Sequence, residues 1–455
     1  MTANTADVIV VGGGPGGYPA ALRLASEGLK VALIEKGLVG GECTNYGCVP
    51  SKALLRASRI SINISELDWV SGSLDPGKVF DWARHVASTV RGSLESLLEK
   101  RGAEIVRDEA ISLHDRCVRL SSGREVCAER AILVATGSRP KMLPGVEVGG
   151  SIIDNRGFFS LETPPDSMII VGGGYVGVEA GFTLASLGTK VTIVEMMPRL
   201  LPSMEREASL TAMRALTSLG AEVLTNSTVS SIDIAERVRA RVETPRGERV
   251  LEADKLLVAI GRLPNVLPGM EEAGAELDSS GYVRVDCHMM AAPGLYAAGD
   301  ITGPPLLAHK AMLESLVAAE NILDRETCVP ENLAIPEVVF IRPEIARVAP
   351  PRGFRGELVR IRVDALARSR IEGEGGYAGL YIDAEGRIRG GILIFEGAGE
   401  SIGLIARLAS DAAPLESLEW TVLPHPTMSE SIVEAAHYAA DKPVHVLGGV
   451  RKRVG

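Results

Sequence analysis

The chain has 455 residues, 46% hydrophobic and 23% charged, with a formal net charge of -10. That length corresponds to about three domains, and the composition is ordinary for a globular protein with large buried cores. The acidic balance argues against a nucleic-acid partner, because the Arg451-Lys452-Arg453 tail is too short a basic block to offset it.

No run of about 18 uncharged apolar residues occurs, so no membrane span is expected. The start of the chain carries Asp7 and no basic region, unlike a signal peptide. Six cysteines fit a cytoplasmic protein whose one disulfide is catalytic. Glutamine is absent altogether. A shortage of thermolabile amides beside many Glu and Arg is a trait of heat-adapted proteins, and lineage-specific composition gives the same pattern.

Asp7 to Val11 reads as a buried parallel strand, and Ala20 to Gly28 as a helix. Between them, Gly12, Gly14 and Gly17 fit a dinucleotide fingerprint. Gly12 makes the tight turn, Gly14 lets backbone approach a pyrophosphate, and Gly17 lets helix and strand pack closely. The helix N-terminus adds donors for phosphate. Pro19 falls near the first helical turn, where a missing N–H costs little. A second strand, Lys30 to Ile34, ends at Glu35, where a ribose hydroxyl needs an acceptor.

Cys43 and Cys48 follow, five positions apart, in a segment interrupted by Gly47 and Pro50. On a regular helix that spacing puts Cα atoms about 8–9 Å apart, too far for a disulfide, which needs roughly 4.4–6.8 Å. A bond therefore requires a bend. Gly47 permits one, and Pro50 is expected to push Val49 away from α geometry. The residues favour a redox disulfide; two buried thiols or half a zinc site are the alternatives.

Ala131 to Ser138 is a strand running into a turn. Before it, Cys117 and Cys127 flank Ser121-Ser122-Gly123. If that is a hairpin turn, the two cysteines face each other. Plain strand residues are expected there, with a structural disulfide as the alternative. The first pattern then repeats. Met168 to Val171 leads into Gly172, Gly174 and Gly177, a helix through Leu187, a strand Lys190 to Val194, and Glu195. Two such folds are what a flavin enzyme exchanging hydride with a nicotinamide requires. A carboxylate at Glu195 pairs with a free ribose 2′-hydroxyl and repels a 2′-phosphate, so NAD is expected rather than NADP. Farther on, Pro424 and Pro426 hold His425 in extended backbone, and Thr427 with Glu430 forms a capping box. Glu430 either caps that helix or orients His425 as a base, or swings between the two.

The string Gly40 to Lys52 resembles the active-site disulfide of the pyridine nucleotide–disulfide oxidoreductases. His425-Pro426-Thr427-Met428-Ser429-Glu430 resembles the same family's base motif. The resemblance runs from Val8 to Ala436. It implies an α/β fold with two Rossmann-like dinucleotide-binding domains, for FAD and NAD, and an α+β C-terminal dimerisation domain. The boundaries expected are 1–145 and 267–333 for the FAD-binding segments, 146–266 for NAD, and 334–455 for the dimerisation domain. Thr136 and Gly137 fall in what resembles the second flavin signature, and Gly261 in the closing signature of the NAD domain. Asp300 resembles the residue contacting the ribityl chain; its simpler role is a turn residue. Ala308 resembles the position that meets the flavin by backbone. Leu307 to Ala311 resembles the dihydrolipoamide dehydrogenases of that family; His309 by itself would more often be a core histidine.

The resemblance also implies roles. Cys43 is the interchange cysteine and Cys48 the one nearest the flavin. Lys52 stabilises the Cys48 thiolate, with Glu179 as its partner or else a helix-surface carboxylate. His425, oriented by Glu430, is the base and acts across a homodimer. Tyr175 resembles a gating tyrosine of the NADP-using branch, or packs the helix. The implied partner is the lipoyl domain of a 2-oxoacid dehydrogenase or glycine cleavage system, with no nucleic acid, membrane or metal. A reductase of another small disulfide, of the coenzyme A disulfide type, is the alternative.

Overall fold

Val8, Val10, Val31 and Leu33 face one hydrophobic core, and Ile9, Val11, Ala32 and Ile34 face another. Alternate side chains of a strand point to opposite faces, so these apolar runs make a sheet buried on both sides. A computed structural model describes residues 4–67, 69–373 and 375–455. The chain forms two compact units. The first comprises residues 1–172, 231–241 and 250–331, and the second 173–230, 242–249 and 332–455.

In the first unit, strand Asn4–Val11 lies between Val31–Ile34 and Glu125–Val134, parallel to both. Glu104–Val106 and Leu295–Ala297 extend the sheet at its two sides, again parallel. Helix Tyr18–Ser26 makes the first crossover, with Pro19 in its first turn, as its missing donor allows. Helix Ala308–Ile322 packs against it. Ser315 Oγ accepts from the Ala20 N–H at 3.0 Å, and Arg23 Nε donates to Glu320 at 2.6 Å. A second parallel set in this unit is Ile152–Ile153, Lys255–Val258 and Ser167–Val171. Ser138–Pro140 and Arg262–Pro264 pair as a short antiparallel ribbon.

In the second unit, helix Tyr175–Ser186 precedes strand Lys190–Val194, which pairs in parallel with Glu222–Leu224. Residues 332–455 contain a six-stranded antiparallel sheet. Its order is 336–339, 345–348, 388–394, 377–383, 356–362, 449–454. Helices Ala398–Ser410 and Glu430–Ala439 bury Ile402, Ile405, Ile432 and Ala436 against Leu380, Leu393 and Phe395. This is the expected α/β architecture with a C-terminal α+β segment. Among the described residues no helix is long and apolar enough to cross a membrane.

The cysteines depart from expectation. Cys117 and Cys127 face each other across the hairpin, as their register requires, and are bonded, with Cα atoms 4.0 Å apart. Cys287 and Cys328, 41 positions apart, also form a disulfide, with Cα atoms 4.8 Å apart. The expectation of plain strand residues, and of one disulfide in all, is therefore corrected. The hairpin brings two sulfurs within reach, and the second bond depends on a tertiary return that spacing does not show. It closes a loop containing Asp300 and the Ala308–Ile322 helix.

On loop-closure entropy, the 41-residue span is expected to stabilise by about 4 kcal/mol and the 10-residue span by about 3 kcal/mol. Replacing Cys287 and Cys328 by serine should lower the calorimetric melting temperature more than the same change at Cys117 and Cys127. Equal midpoints for wild type and both double variants would show that neither bond supports the fold.

Candidate active site

The first glycine loop is built for close approach. Gly12 has φ +102°, and a Cβ there would lie 2.3 Å from the Ala135 carbonyl oxygen. A Cβ on Gly17 would lie 1.9 Å from the Gly12 oxygen, whereas one on Gly14 would meet nothing nearer than the Gly41 Cα at 3.8 Å. The Gly14 face is thus open to a phosphate, as the fingerprint requires. The Glu35 carboxylate accepts from the N–H groups of Gly13 and Gly37, both at 2.7 Å. Each oxygen keeps a second lone pair for a ribose hydroxyl. These residues fit the adenosine half of a dinucleotide such as FAD.

The second loop repeats this geometry. Gly172 has φ +110°, and a Cβ would lie 2.3 Å from the Ala259 carbonyl oxygen. Glu195 accepts from the N–H groups of Gly173 and Met197, both at 2.6 Å. Gly174 has no neighbour within 4 Å of where a Cβ would sit. The site therefore fits a second dinucleotide by the same tests. Gly177 is buried in the helix that follows. Gly261, with φ +111°, turns the chain after Lys255–Val258 and accepts from the Lys141 N–H at 2.9 Å.

The cysteine segment is pinned to the first loop. The Gly40 N–H donates to the Gly13 oxygen at 2.8 Å. Gly41 packs so tightly that a Cβ would sit 2.8 Å from the Gly14 Cα. Helix Gly41–Tyr46 then breaks at Gly47, and helix Cys48–Glu66 begins. The break brings the Cα atoms of Cys43 and Cys48 to 4.7 Å, and the sulfurs are bonded. The zinc half-site and free-thiol alternatives fall with that bond. Cys48 is the first residue of a 19-residue helix, where the positive end of the dipole favours a thiolate. Lys52 lies one turn on.

The expectation for Pro50 needs correction. Val49 and Pro50 are both helical, because a proline in the first turn lacks only an N–H that has no partner there. Buried Asn45 fastens the segment. Its amide donates to the oxygens of Val39 and Gly41 at 3.0 and 2.9 Å, and its Oδ1 accepts from Arg91 at 3.1 Å.

Asp300 opens a 3-10 turn and accepts from the Ser138 hydroxyl. Beneath it, buried Glu314 accepts from the Gly299 N–H at 2.8 Å and pairs with Lys310 at 2.7 Å. Thr136 and Gly137 bind across to Asn265: the Thr136 hydroxyl donates to its carbonyl, and its N–H donates to the Gly137 oxygen at 3.0 Å. Ala308 starts the helix after this turn, and His309 is exposed rather than in a core.

In the second unit, Glu179 is buried and accepts from the Phe340 N–H at 3.0 Å, so it is no helix-surface carboxylate. Tyr175 does more than pack. Its hydroxyl donates to Glu337, which pairs with Arg347 at 2.8 Å. Burial, followed by the Glu337 hydrogen bond and charge, raises the Tyr175 phenol well above its ordinary range.

His425 is exposed. Its Nδ1 lies 2.9 Å from Glu430 Oε1, while Glu430 Oε2 accepts from the Thr427 N–H at 2.8 Å. The two expected roles of Glu430 are thus split between its oxygens, and no swing is needed. The Thr427 hydroxyl donates instead to the Pro424 oxygen, so only half of a capping box forms. Burial acts against the Glu430 carboxylate, but the Thr427 N–H, the His425 bond and the His425 charge outweigh it and hold the group below its usual range.

Sequence reasoning missed the side chains that hold the cysteine segment from outside. Glu42 meets Asn155, Arg156 and Arg262, and Arg262 also donates to Ser138 at 2.6 Å. Only the positions of Glu42 beside Cys43 and of Arg262 beside Gly261 could have flagged them.

The comparisons agree with this geometry. Residues 6–315 match the family profile described as pyridine nucleotide-disulphide oxidoreductase. A dihydrolipoyl dehydrogenase of Chlorobaculum parvum is 37% identical, over 95% of this chain and 97% of that one. Those of Geobacillus stearothermophilus and Thermus scotoductus are each 34% identical, over 97% and 98% of this chain and 97% and 99% of their own. Among solved structures, LpdA of Mycobacterium tuberculosis superposes with a TM-score of 0.86 at 25% identity, covering 96% of this chain and 100% of its own. The HOCl-induced flavoprotein disulfide reductase RclA of Escherichia coli gives 0.85 at 25% identity, covering 96% and 99%.

A carboxyl held below its unfolded value adds stability that is fully present above that value, near pH 4.3, and is lost as pH falls through the folded one. Glu430→Gln should therefore lower the melting temperature at pH 7, and the gap from wild type should close only below about pH 4. A gap that closes between pH 5 and 7 would contradict the assignment.

Proposed function

This chain belongs to the pyridine nucleotide-disulphide oxidoreductases, and from that membership we propose that it oxidises dihydrolipoamide to lipoamide and reduces NAD+ to NADH. The observation that carries the reading is the Cys43–Cys48 disulfide pinned to the first glycine loop by the Gly40 N–H and the Gly41–Gly14 contact. The similarity to dihydrolipoyl dehydrogenases over almost the whole chain supports it.

Gly12, Gly14, Gly17, Glu35, Thr136, Gly137, Asp300 and Ala308 would hold FAD, which would supply a two-electron carrier between a dithiol and NAD. The chain's residues do the rest. His425, held by Glu430, takes a proton from one substrate thiol. The substrate sulfur attacks Cys43, the Cys43–Cys48 bond breaks, and Cys48 leaves as a thiolate. Lys52 and the helix N-terminus stabilise that charge. The second substrate sulfur then displaces Cys43 and closes the lipoamide ring. Glu195, with Gly172, Gly174, Gly177 and Gly261, would hold NAD.

We assign 1–145 and 267–333 to FAD, 146–266 to NAD and 334–455 to dimerisation. The active form is a homodimer in which His425 serves the neighbouring subunit, and the exposure of His425 supports this. The substrate is carried on the lipoyl domain of a 2-oxoacid dehydrogenase or glycine cleavage system, in the cytoplasm. The likeness to RclA, a disulfide reductase, favours a second reading: reduction of another small disulfide at the expense of nicotinamide.

Purified protein given dihydrolipoamide and NAD+ should form NADH in equal amount to lipoamide. Cys48→Ser should abolish turnover, and His425→Gln should lower kcat by roughly 10²–10⁴-fold. No NADH from dihydrolipoamide, with NADH consumed by a coenzyme A or cystine disulfide, would replace the first reading by the second.

A further inference from the structure

Glu42 stands beside Cys43 on helix Gly41–Tyr46, and no chemical step above uses it. Its side chain is only 25% exposed. Asn155 Nδ2 donates to its Oε2 at 2.7 Å, Arg156 pairs with Oε1, and Arg262 Nη2 lies 3.6 Å away. The same groups hold the other end of the helix. Asn155 Nδ2 donates to the Tyr46 oxygen at 2.9 Å, and the Arg156 guanidinium lies 5.4 Å from the Tyr46 ring centre. Residues more than 100 positions away thus grip the cysteine helix at both ends.

The charge placement has a chemical consequence. Adjacent Cα atoms are 3.8 Å apart, so the Glu42 carboxylate lies within about 10 Å of the Cys43 sulfur, near the screening length at 0.1 M salt. A bare carboxylate there would disfavour a thiolate on Cys43, and thus the attack that returns electrons to a disulfide. Two guanidiniums neutralise it. Charged groups tied to this region by the contacts above are Arg91, through Asn45, and Asp300, which shares Ser138 with Arg262; Lys52 follows on the next helix.

We propose that Glu42, clamped by Asn155, Arg156 and Arg262, is a positioning residue of the redox pair that fixes the Cys43 helix and, through its two arginines, sets the acidity of the Cys43 thiol. The proposal rests on Cys43–Cys48 being the reacting disulfide.

The test uses the holoenzyme, reduced with dithiothreitol, freed of reductant under argon and alkylated with iodoacetamide across pH 5–9. Mass spectrometry of the Cys43 peptide gives the rate. Glu42→Gln keeps an acceptor for Asn155 and removes the anion, so Cys43 should react roughly threefold faster near pH 7. Arg156→Met strips one neutralising cation from an exposed position and should slow it by a similar factor. Arg156→Lys keeps the charge without the planar fork, so its rate should fall between those of Arg156→Met and wild type.

A purely structural clamp would move both variants in one direction. Shifts of the same sign, or rates all within about twofold of wild type, overturn the proposal. The rates do not pass through lipoamide turnover. Diverging rates without dehydrogenase activity would sink only the functional reading, and full activity with converging rates only this inference.

Discussion

One hydrogen bond and one glycine contact tie the Cys43–Cys48 segment to the first glycine loop. The Gly40 N–H reaches the Gly13 oxygen, and Gly41 lies against Gly14 with no room for a side chain. A loop shaped to let phosphate approach backbone is therefore also the seat of a disulfide. The binding loop and the sulfur pair cannot move independently. Any side chain at Gly41 would push Cys43 away from the loop, at a residue whose φ of +58° already favours glycine. The Cys43–Cys48 bond needs its own departure from regular helix, and Gly47 supplies it.

The two glycine loops show how far one solution has been reused. Each pairs a glycine of positive φ with a carbonyl from the alanine just past a distant strand, at the same 2.3 Å Cβ separation. Each follows with a glutamate 22 positions after the loop's middle glycine, accepting from that glycine's N–H. The repeat is thus a repeat of backbone satisfaction, not merely of residue spelling. It places a carboxylate where the turn needs an acceptor and a ribose finds one.

Legibility in the sequence followed the range of the interaction. The two strand–loop–helix units were readable because their geometry is set within about thirty residues. The Cys43–Cys48 bend was readable from Gly47, and the facing of Cys117 and Cys127 from the turn between them. The second of these was readable only as proximity, since register gives distance and not bonding. Cys287–Cys328, the Glu42 clamp and the Tyr175–Glu337–Arg347 set were not readable, because each joins residues brought together by tertiary folding. Pro50 was misread for the opposite reason. A local rule about the residue before proline was applied at a helix start, where the rule costs least.

Four glutamates share one pattern of contacts in a chain that has no glutamine. Glu35, Glu195, Glu430 and Glu42 each use both carboxylate oxygens on different donors. The first two meet pairs of backbone N–H groups, the third an N–H and a histidine, the fourth an amide and a guanidinium. A glutamine has one acceptor oxygen and would turn its NH₂ toward a second donor. At these four positions the carboxylate meets two donors, where a glutamine would meet one. Charge-assisted bonds to N–H groups are also shorter and stronger than neutral ones. The two glycine loops and the cysteine helix are thereby tied to anions. The cost is that each anion must be neutralised by what surrounds it, and beside Cys43 that falls to two arginines.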